Sequence, residues 1–200
     1  MNNLEAFNQT LFLRLNADAP TSAWILSTAA IIADDLIYLV PLLLVAFWFE
    51  GNTGRRSMAL KACLVALVSL GINQLIGLVY SHPRPVMIGL GHTWIPHAAD
   101  SSFPSDHMTV FVSIGLTLLL DGARWRGLAT LIAGLAVAWS RVFLGVHFPL
   151  DMLGAAAVVV VTYALITPVW RHVGSAVTQW GIWLYGKLFA KPINLGWIRR

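Results

Sequence analysis

The chain has 200 residues, of which 58% are hydrophobic and only 11% are charged. Soluble domains carry roughly 25% charged residues, so this composition excludes an ordinary soluble domain and indicates an integral membrane protein. The net charge of +4 comes from scattered basic residues and does not indicate a nucleic-acid partner. The single cysteine, Cys63, excludes an intrachain disulfide and a cysteine-based metal cluster.

The first two elements lie before residue 50. Residues 4–15 carry apolar side chains at helical spacing, which predicts a short amphipathic helix at the membrane interface. Residues 21–49 are apolar apart from Asp34 and Asp35. They predict either one tilted span or a short re-entrant piece followed by a span from about residue 36. We expect the two acids to be hydrated at a helix break near the outer interface, although acids in a membrane segment are also candidates for a function.

Four more apolar segments are predicted to be spans. They are residues 59–80, 106–120, 127–146 and 150–169. The sequence therefore predicts an all-α membrane bundle of five spans, with six helices if the first segment is split. It forms a single domain, 1–200, with a basic interfacial tail over 170–200.

The Lys and Arg residues predict the orientation of the bundle. With five spans, ten of the thirteen fall on one side, which the positive-inside rule assigns to the cytoplasm. Only Arg14, Arg84 and Arg141 fall on the other side. The C-terminus is therefore expected in the cytoplasm, and the polar loop over 81–105 is expected to face outward.

The end of that loop suits the binding of an anion. Ser105 precedes an apolar segment and follows a proline, so it is a good helix N-cap, with Asp106 and His107 in the first turn. The free amides of a helix N-terminus bind phosphate well, and His107 could protonate a leaving oxygen. A capped helix with an interfacial histidine is the plain alternative.

A second polar group lies between the last two spans. Ser140 and His147 are seven residues apart, which predicts one shared helix face, and Pro149 predicts the start of a new helix. Asp151 is then within reach of His147, where a carboxylate orients the imidazole and leaves its other nitrogen free as a nucleophile. Arg141 offers a guanidinium to phosphate oxygens. A structural ion pair between Arg141 and Asp151 is the alternative.

Together with Arg84-Pro85, these segments resemble the signature of the type 2 phosphatidic acid phosphatase superfamily. The family pattern is Lys-x6-Arg-Pro, then Pro-Ser-Gly-His, then Ser-Arg-x5-His-x3-Asp. The third segment matches in full, Asp106 replaces the glycine of the second, and Gly77 stands where the first has lysine. The resemblance covers about residues 77–151.

The resemblance implies a phosphatase that needs no metal or other cofactor and forms a phosphohistidine intermediate. By carry-over, His147 is the nucleophile, Asp151 orients it and His107 protonates the leaving group. The phosphate-binding group would comprise Arg84, Ser105, Asp106, Ser140 and Arg141. Without the lysine, and with Asp106 added, simple electrostatics predicts weaker anion binding. Asp106 could instead cap Arg84, contact a histidine or help to recognise a diphosphate.

The Pro-Ser-Asp-His segment and the chain length are similar to bacterial undecaprenyl-diphosphate phosphatases of the bacitracin-resistance type. This similarity implies that a polyprenyl diphosphate is hydrolysed to the monophosphate on the outer side of the bacterial inner membrane, which recycles the cell-wall lipid carrier. Expected partners are that lipid and membrane lipids, and the sequence does not indicate an oligomeric state.

Other functions stay open from the sequence. The site could act on phosphatidic acid or phosphatidylglycerol phosphate, or the protein could transport a lipid phosphate without cleaving it. A haloperoxidase of related fold is disfavoured because those relatives are soluble. The loop histidines His82, His92 and His97 match no metal-binding spacing, so no metal site is expected.

Overall fold

The computed structural model describes residues 3–198, and within this range the protein is helical. Eight α-helices follow one another over residues 3–198. They are α1 (Asn3–Leu15), α2 (Ala23–Asp34), α3 (Leu39–Phe49), α4 (Thr53–Val79), α5 (Asp106–Leu120), α6 (Arg124–Phe143), α7 (Pro149–Leu188) and α8 (Ala190–Asn194). Short 3-10 turns cover Leu36–Tyr38 and Pro85–Ile88.

In the described part of the chain, four helical stretches are long and apolar enough to cross a membrane, and they match four of the five predicted spans. They are Ala23–Phe49, Thr53–Val79, Arg124–Phe143 and Pro149–Leu188. The fifth predicted span is α5, a shorter apolar helix that packs against α4, α6 and α7. Because α5 is surrounded by longer helices, most of its side chains are buried in the protein.

The first apolar stretch is broken in its middle. Helix α2 ends at Asp34, a 3-10 turn follows, and α3 begins at Leu39. The two pieces have 12 and 11 residues, so neither can cross a 30 Å hydrocarbon core at 1.5 Å per residue. The break lies at Asp34 and Asp35, as predicted. Helices α2 and α3 together form one candidate span.

The turn between α6 and α7 differs from the prediction. Helix α6 ends at Phe143, so Ser140 and His147 do not share a helix. Gly145 has φ +83°, a left-handed conformation, and an added Cβ there would collide with the carbonyl oxygen of His92. The glycine ends the helix and lets the outer loop approach, which places His147 in a turn rather than on a helix face.

The final long helix also differs from the prediction. Helix α7 is continuous through Pro168 and runs for 40 residues, whereas we expected a span ending at 169 and a separate interfacial tail. At 1.5 Å per residue it is roughly 60 Å long, about twice a hydrocarbon core. The second half therefore extends beyond one bilayer thickness, and only the short α8 is a separate helix within the described part of the tail.

Because successive helices run in opposite directions, four helix ends meet at one end of the bundle. The end of α4, the start of α5, the end of α6 and the start of α7 all lie at the same end of the bundle. The amide of Ser105 donates to the carbonyl oxygen of Asp151 (3.2 Å), which joins the α5 and α7 starts directly. The predicted motifs are thereby gathered at one end.

Candidate active site

His147 lies in the short turn that connects α6 to α7, and Asp151 holds its ring. Pro149 is the first residue of α7, which puts Asp151 in the first helical turn as predicted. The carboxylate Oδ2 accepts from the Phe148 amide (2.8 Å) and lies 3.2 Å from Nδ1 of His147. Ser102 also donates its hydroxyl to this oxygen. With Nδ1–H directed at the carboxylate, Nε2 of His147 carries the ring's lone pair.

Arg84 lies on the Nε2 side of His147. Its Nη1 is 3.2 Å from that nitrogen and donates to the carbonyl oxygen of Val146 (2.8 Å). Its Nε donates to Asp100 (2.8 Å), and Nη2 donates to the carbonyl oxygen of Ser101. The guanidinium is buried and is fixed by these contacts beside the ring nitrogen that we expect to be the nucleophile.

Arg141 and His107 form the matching pair across the site. The Nη1 of Arg141 is 3.3 Å from Nε2 of His107 and 3.1 Å from Oδ1 of Asp34. The same nitrogen donates to the carbonyl oxygen of Ala33 (3.3 Å). Each histidine therefore has one arginine against its Nε2. The alternative ion pair between Arg141 and Asp151 is not formed within residues 3–198, where Arg141 pairs with Asp34 and Asp151 contacts His147.

The two histidine–arginine pairs line a cavity of about 410 Å³. The cavity wall is formed by Asn73, Gln74, Gly77, Leu78, Arg84, His97, Asp100, Ser101, Phe103, Pro104, Asp106, His107, Arg141 and His147. Five predicted site residues thus meet at one cavity: Arg84, Asp106, His107, Arg141 and His147. Gly77 contributes to the same wall, so the position where the family pattern has lysine does face the site.

The other predicted site residues lie outside the cavity wall. Ser105 is the N-cap of α5, as predicted, and its hydroxyl accepts from the Met108 amide (3.5 Å). Ser140 is fully buried, and within residues 3–198 its hydroxyl has no hydrogen-bond partner. Asp151 lies behind His147. A direct phosphate contact by the Ser105 or Ser140 side chain is therefore not supported by this geometry.

Asp106 is held by two amide side chains from α4. Its Oδ1 accepts from Asn73 Nδ2 (2.8 Å), and its Oδ2 accepts from Gln74 Nε2 (3.3 Å). Among the expected alternatives, a hydrogen bond to Arg84 or to a histidine is not formed between the described residues. Asp106 thus adds a carboxylate to the wall at a position where the family pattern has no side chain.

The surroundings of His147 favour a neutral imidazole. Burial lowers the pKa of His147 well below its ordinary value of 6.5, and the charges of Arg84 and Arg141 lower it further. A neutral ring retains the lone pair that a nucleophile needs. Burial and Arg84 likewise lower the pKa of His97, whose ring meets that of His147 edge-on at 6.1 Å.

The loop histidines do not come together. His97 lines the cavity, His82 lies 3.2 Å from Glu5, and the ring of His92 is tilted by 44° against that of Trp94 at 6.0 Å. Over residues 3–198, no group of three or more His, Cys, Asp or Glu side chains could hold a metal ion.

The sequence analysis missed four residues that contact the site. They are Asp34, His97, Asp100 and Ser102. Asp34 was considered as a functional acid and His97 as a metal ligand, but neither was assigned to this site, and His97, Asp100 and Ser102 lie in a loop that has no periodic pattern. The one available signal was that Asp34 has no neighbouring cation in sequence, since a charge in a membrane segment needs a partner elsewhere.

Known proteins are similar in sequence to most of this chain. A model of the PAP2 superfamily matches residues 58–176. The YbjG protein of Escherichia coli (strain K12), named as a candidate undecaprenyl-diphosphatase, is 38% identical over 196 residues, which cover 98% of this chain and 99% of YbjG. The undecaprenyl-diphosphatase BcrC of Bacillus subtilis (strain 168) is 41% identical over 135 residues, which cover 68% of this chain and 69% of BcrC.

Solved structures share the arrangement of helices. The crystal structure of Aquifex aeolicus LpxE matches with a TM-score of 0.63 at 18% identity, over 80% of this chain and 93% of that one. A transmembrane PAP2 type phosphatidylglycerolphosphate phosphatase from Bacillus subtilis matches with a TM-score of 0.62 at 17% identity, over 86% of this chain and 89% of that one. At these identities the likeness concerns the fold. It confirms the predicted all-α membrane bundle, and with the apolar helices it identifies a multi-pass membrane protein.

Proposed function

The chain belongs to the PAP2 superfamily, and from that membership we propose that it hydrolyses undecaprenyl diphosphate to undecaprenyl phosphate and inorganic phosphate. The names of YbjG and BcrC support this choice of substrate. The observation that carries the proposal is the pair of histidines across one cavity, each with an arginine against its Nε2. One histidine can attack phosphorus while the other serves the leaving oxygen.

In the first step, Nε2 of His147 attacks the terminal phosphorus and a P–N bond forms. The bond from phosphorus to the bridging oxygen breaks, and His107 gives a proton to the departing lipid monophosphate. Asp151 keeps the lone pair of Nε2 directed at the cavity and stabilises the positive charge on the ring. Arg84 and Arg141 offset the charge on the phosphoryl oxygens as it transfers.

In the second step, His107 takes a proton from water, which attacks the phosphohistidine. The P–N bond breaks, inorganic phosphate forms and His147 is regenerated. Since the same residue gives and then accepts a proton, the cycle closes without another group. Phosphoryl transfer of this kind depends mostly on positioning and charge stabilisation, which the two histidine–arginine pairs can supply.

The orientation that we propose places this cavity on the outer side of a bacterial inner membrane. Basic residues are concentrated at the opposite end of the bundle, in the starts of α4 and α6, and the positive-inside rule assigns that end to the cytoplasm. An outward-facing site could dephosphorylate the diphosphate lipid released during wall synthesis and so recycle the carrier.

The test is phosphate release from undecaprenyl diphosphate by the purified protein in detergent with EDTA present. We expect wild type and the control His92→Ala to be active, since His92 does not line the cavity. His147→Ala should be folded and inactive, and only wild type and the control should form an acid-labile phosphoenzyme. Lipid movement without hydrolysis by wild type would overturn the enzymatic proposal in favour of a transporter.

Substrate competition tests the choice of lipid. Phosphatidic acid and phosphatidylglycerol phosphate are offered beside undecaprenyl diphosphate at equal concentration. We expect the diphosphate to be hydrolysed fastest. A much higher kcat/KM for either phospholipid would replace the proposed substrate with a broader lipid phosphatase.

A further inference from the structure

Each arginine of the cavity is paired with an aspartate from outside the three motifs. Arg84 pairs with Asp100 at 2.8 Å, and Arg141 pairs with Asp34 at 3.1 Å. The arginine side chains are 5% and 2% exposed, whereas the aspartate side chains are 61% and 52% exposed. Two buried cations thus have partners that lie nearer to water than they do.

The two aspartates reach the site from unrelated elements. Asp34 is the last residue of α2, where the helix breaks into the 3-10 turn. A carboxylate at a helix C-terminus is disfavoured by the helix dipole, so its contact with Arg141 offsets an unfavourable position. Asp100 lies in the outer loop. Burial raises the pKa of Asp100, but the hydrogen bond and charge of Arg84 outweigh this and lower it below the ordinary value, which keeps the carboxylate ionised.

These pairs affect any anion that binds at the same guanidinium groups. The Nη1 of Arg141 already serves Asp34, the carbonyl oxygen of Ala33 and His107, and Arg84 has a partner at each of its three nitrogens. A phosphate oxygen that approaches Nε of Arg84 or Nη1 of Arg141 must share or displace these acceptors, whereas Nε of Arg141 has no acceptor within residues 3–198. The fixed carboxylates also repel it, because two negative charges near one cation raise each other's energy.

We propose that Asp34 and Asp100 are built-in counter-ions that compete with phosphate for Arg141 and Arg84 and so ease the release of inorganic phosphate. This inference rests on the proposed phosphatase function. It gives a role to an acid in apolar sequence and to a loop acid that lie outside the three motif segments. The cavity can then use two buried arginines during transfer without holding the product too tightly.

The test compares charge-removing variants of both aspartates. Asp34→Asn and Asp100→Asn keep an oxygen that can accept from the arginine but remove the negative charge. The matched control is Asp35→Asn, because the side chain of Asp35 is exposed and makes no hydrogen bond or ion pair with any residue in 3–198. The measured quantities are the inhibition constant for inorganic phosphate and KM for undecaprenyl diphosphate.

We expect the inhibition constant for phosphate to be about fivefold lower in each of the two variants than in wild type. This is the effect expected when one partly exposed ion pair is removed. KM should fall in parallel, and the control should match wild type. Asp34→Glu and Asp100→Glu, which keep the charge, should restore wild-type inhibition. Equal inhibition in the variants and in the control would overturn the proposal. Weaker inhibition would also overturn it, since it would mean that the carboxylates only position the arginines.

A binding measurement separates this inference from the proposed function. Phosphate should raise the melting temperature of detergent-solubilised Asp34→Asn more than that of wild type at the same concentration. This readout holds even if wild type hydrolyses none of the offered lipids, an outcome that would overturn the phosphatase alone. If Asp34→Asn does not fold, Asp34→Ser removes the same charge at a half-exposed position, and Asp100→Asn carries the test independently. Equal phosphate shifts in variant and wild type would overturn the counter-ion role.

Discussion

Buried cations occur at both ends of the bundle, but their surroundings differ. At the candidate active site, Arg84 and Arg141 contact histidine ring nitrogens and half-exposed aspartates and line a cavity. At the other end lies what we term the basal cluster, Arg56, Lys61, Asp121 and Tyr163. There the cations are covered by aromatic rings and one carboxylate.

The contacts of the basal cluster are those of a structural network. The guanidinium of Arg56 lies over the rings of Trp48 (5.3 Å) and Tyr185 (5.2 Å). Lys61 Nζ is 2.8 Å from Asp121 and 4.3 Å from the ring centre of Tyr163, whose hydroxyl donates to the same carboxylate. Cation–π contacts and a partly buried ion pair stabilise helix packing without presenting a nucleophile. A buried cation therefore marks a reactive site only where a nucleophile and a cavity accompany it.

An Asp→Asn substitution, made once in the candidate active site and once in the basal cluster, is the sharpest test of the difference between them. Asp151→Asn removes the carboxylate charge beside Nδ1 of His147, which in the proposed reaction stabilises the cationic ring, so turnover should fall roughly 10⁴-fold. Asp121→Asn makes the same chemical change in the basal cluster and should lower the melting temperature while turnover of the folded protein is unchanged. Both quantities are measured on detergent-solubilised protein. A comparable loss of turnover in the two variants would contradict the division between a reactive and a structural cluster.

The basal cluster should respond to substitution through stability. Lys61→Met leaves Asp121 without its cation, which should lower the free energy of unfolding by about 2 kcal/mol, less than for a fully buried pair because Asp121 is 20% exposed. Denaturant unfolding in detergent measures this. The double variant Lys61→Met/Asp121→Leu should recover much of the loss, because no unpaired charge is left. Additive losses would show that the pair itself is not the source of stability.

The candidate active site should instead respond to pH. Because burial and two arginines lower the pKa of His147 below 6.5, its neutral form should predominate at pH 6.5 and be lost only as the pH falls further. Histidine ring resonances that disappear in His147→Gln identify the signal to follow by NMR titration. A midpoint at or above 6.5 would mean that the arginines do not act on this ring. The acid limb of kcat/KM should then also lie at higher pH.

Short-range patterns in the sequence predicted the parts of the site that depend on local geometry. Pro149 begins α7, which puts Asp151 in the first helical turn, and Ser105 caps α5. Both predictions are confirmed. The gathering of helix ends also follows from the number and direction of the spans. The turn at Gly145 was missed because a helical seven-residue spacing took no account of the glycine.

Contacts across long distances in the sequence could not be predicted. Successive residues on a helix point about 100° apart, so whether Asp34 or Asp35 faces the protein depends on how α2 packs against α6. We expected both acids to be hydrated. Both are exposed, but the side chain of Asp34 pairs with Arg141, whereas the side chain of Asp35 has no hydrogen bond or ion pair within residues 3–198. Ser102 reaches Asp151 through the fold of an irregular loop, which leaves no periodic signal.

The smallest effect is expected at Asp106, the acid of the candidate active site that has amide partners instead of an arginine. Asn73 and Gln74 hold its carboxylate in the cavity wall, where it would repel the phosphate oxygens of the proposed substrate. Asp106→Gly removes this repulsion, and a diphosphate carries more negative charge than a monophosphate. We therefore expect kcat/KM for undecaprenyl diphosphate, relative to phosphatidic acid, to rise about threefold, an effect of a single exposed charge.

A second substitution separates the charge of the Asp106 side chain from its volume. Asp106→Asn keeps the side-chain volume and one acceptor oxygen, so it should reproduce most of the change if repulsion is the cause. If only Asp106→Gly changes the ratio, the extra space in the wall is responsible. Loss of activity on every substrate would place Asp106 with His147 and Asp151 among the groups that the proposed mechanism requires. The candidate active site would then differ from the basal cluster by one more indispensable carboxylate.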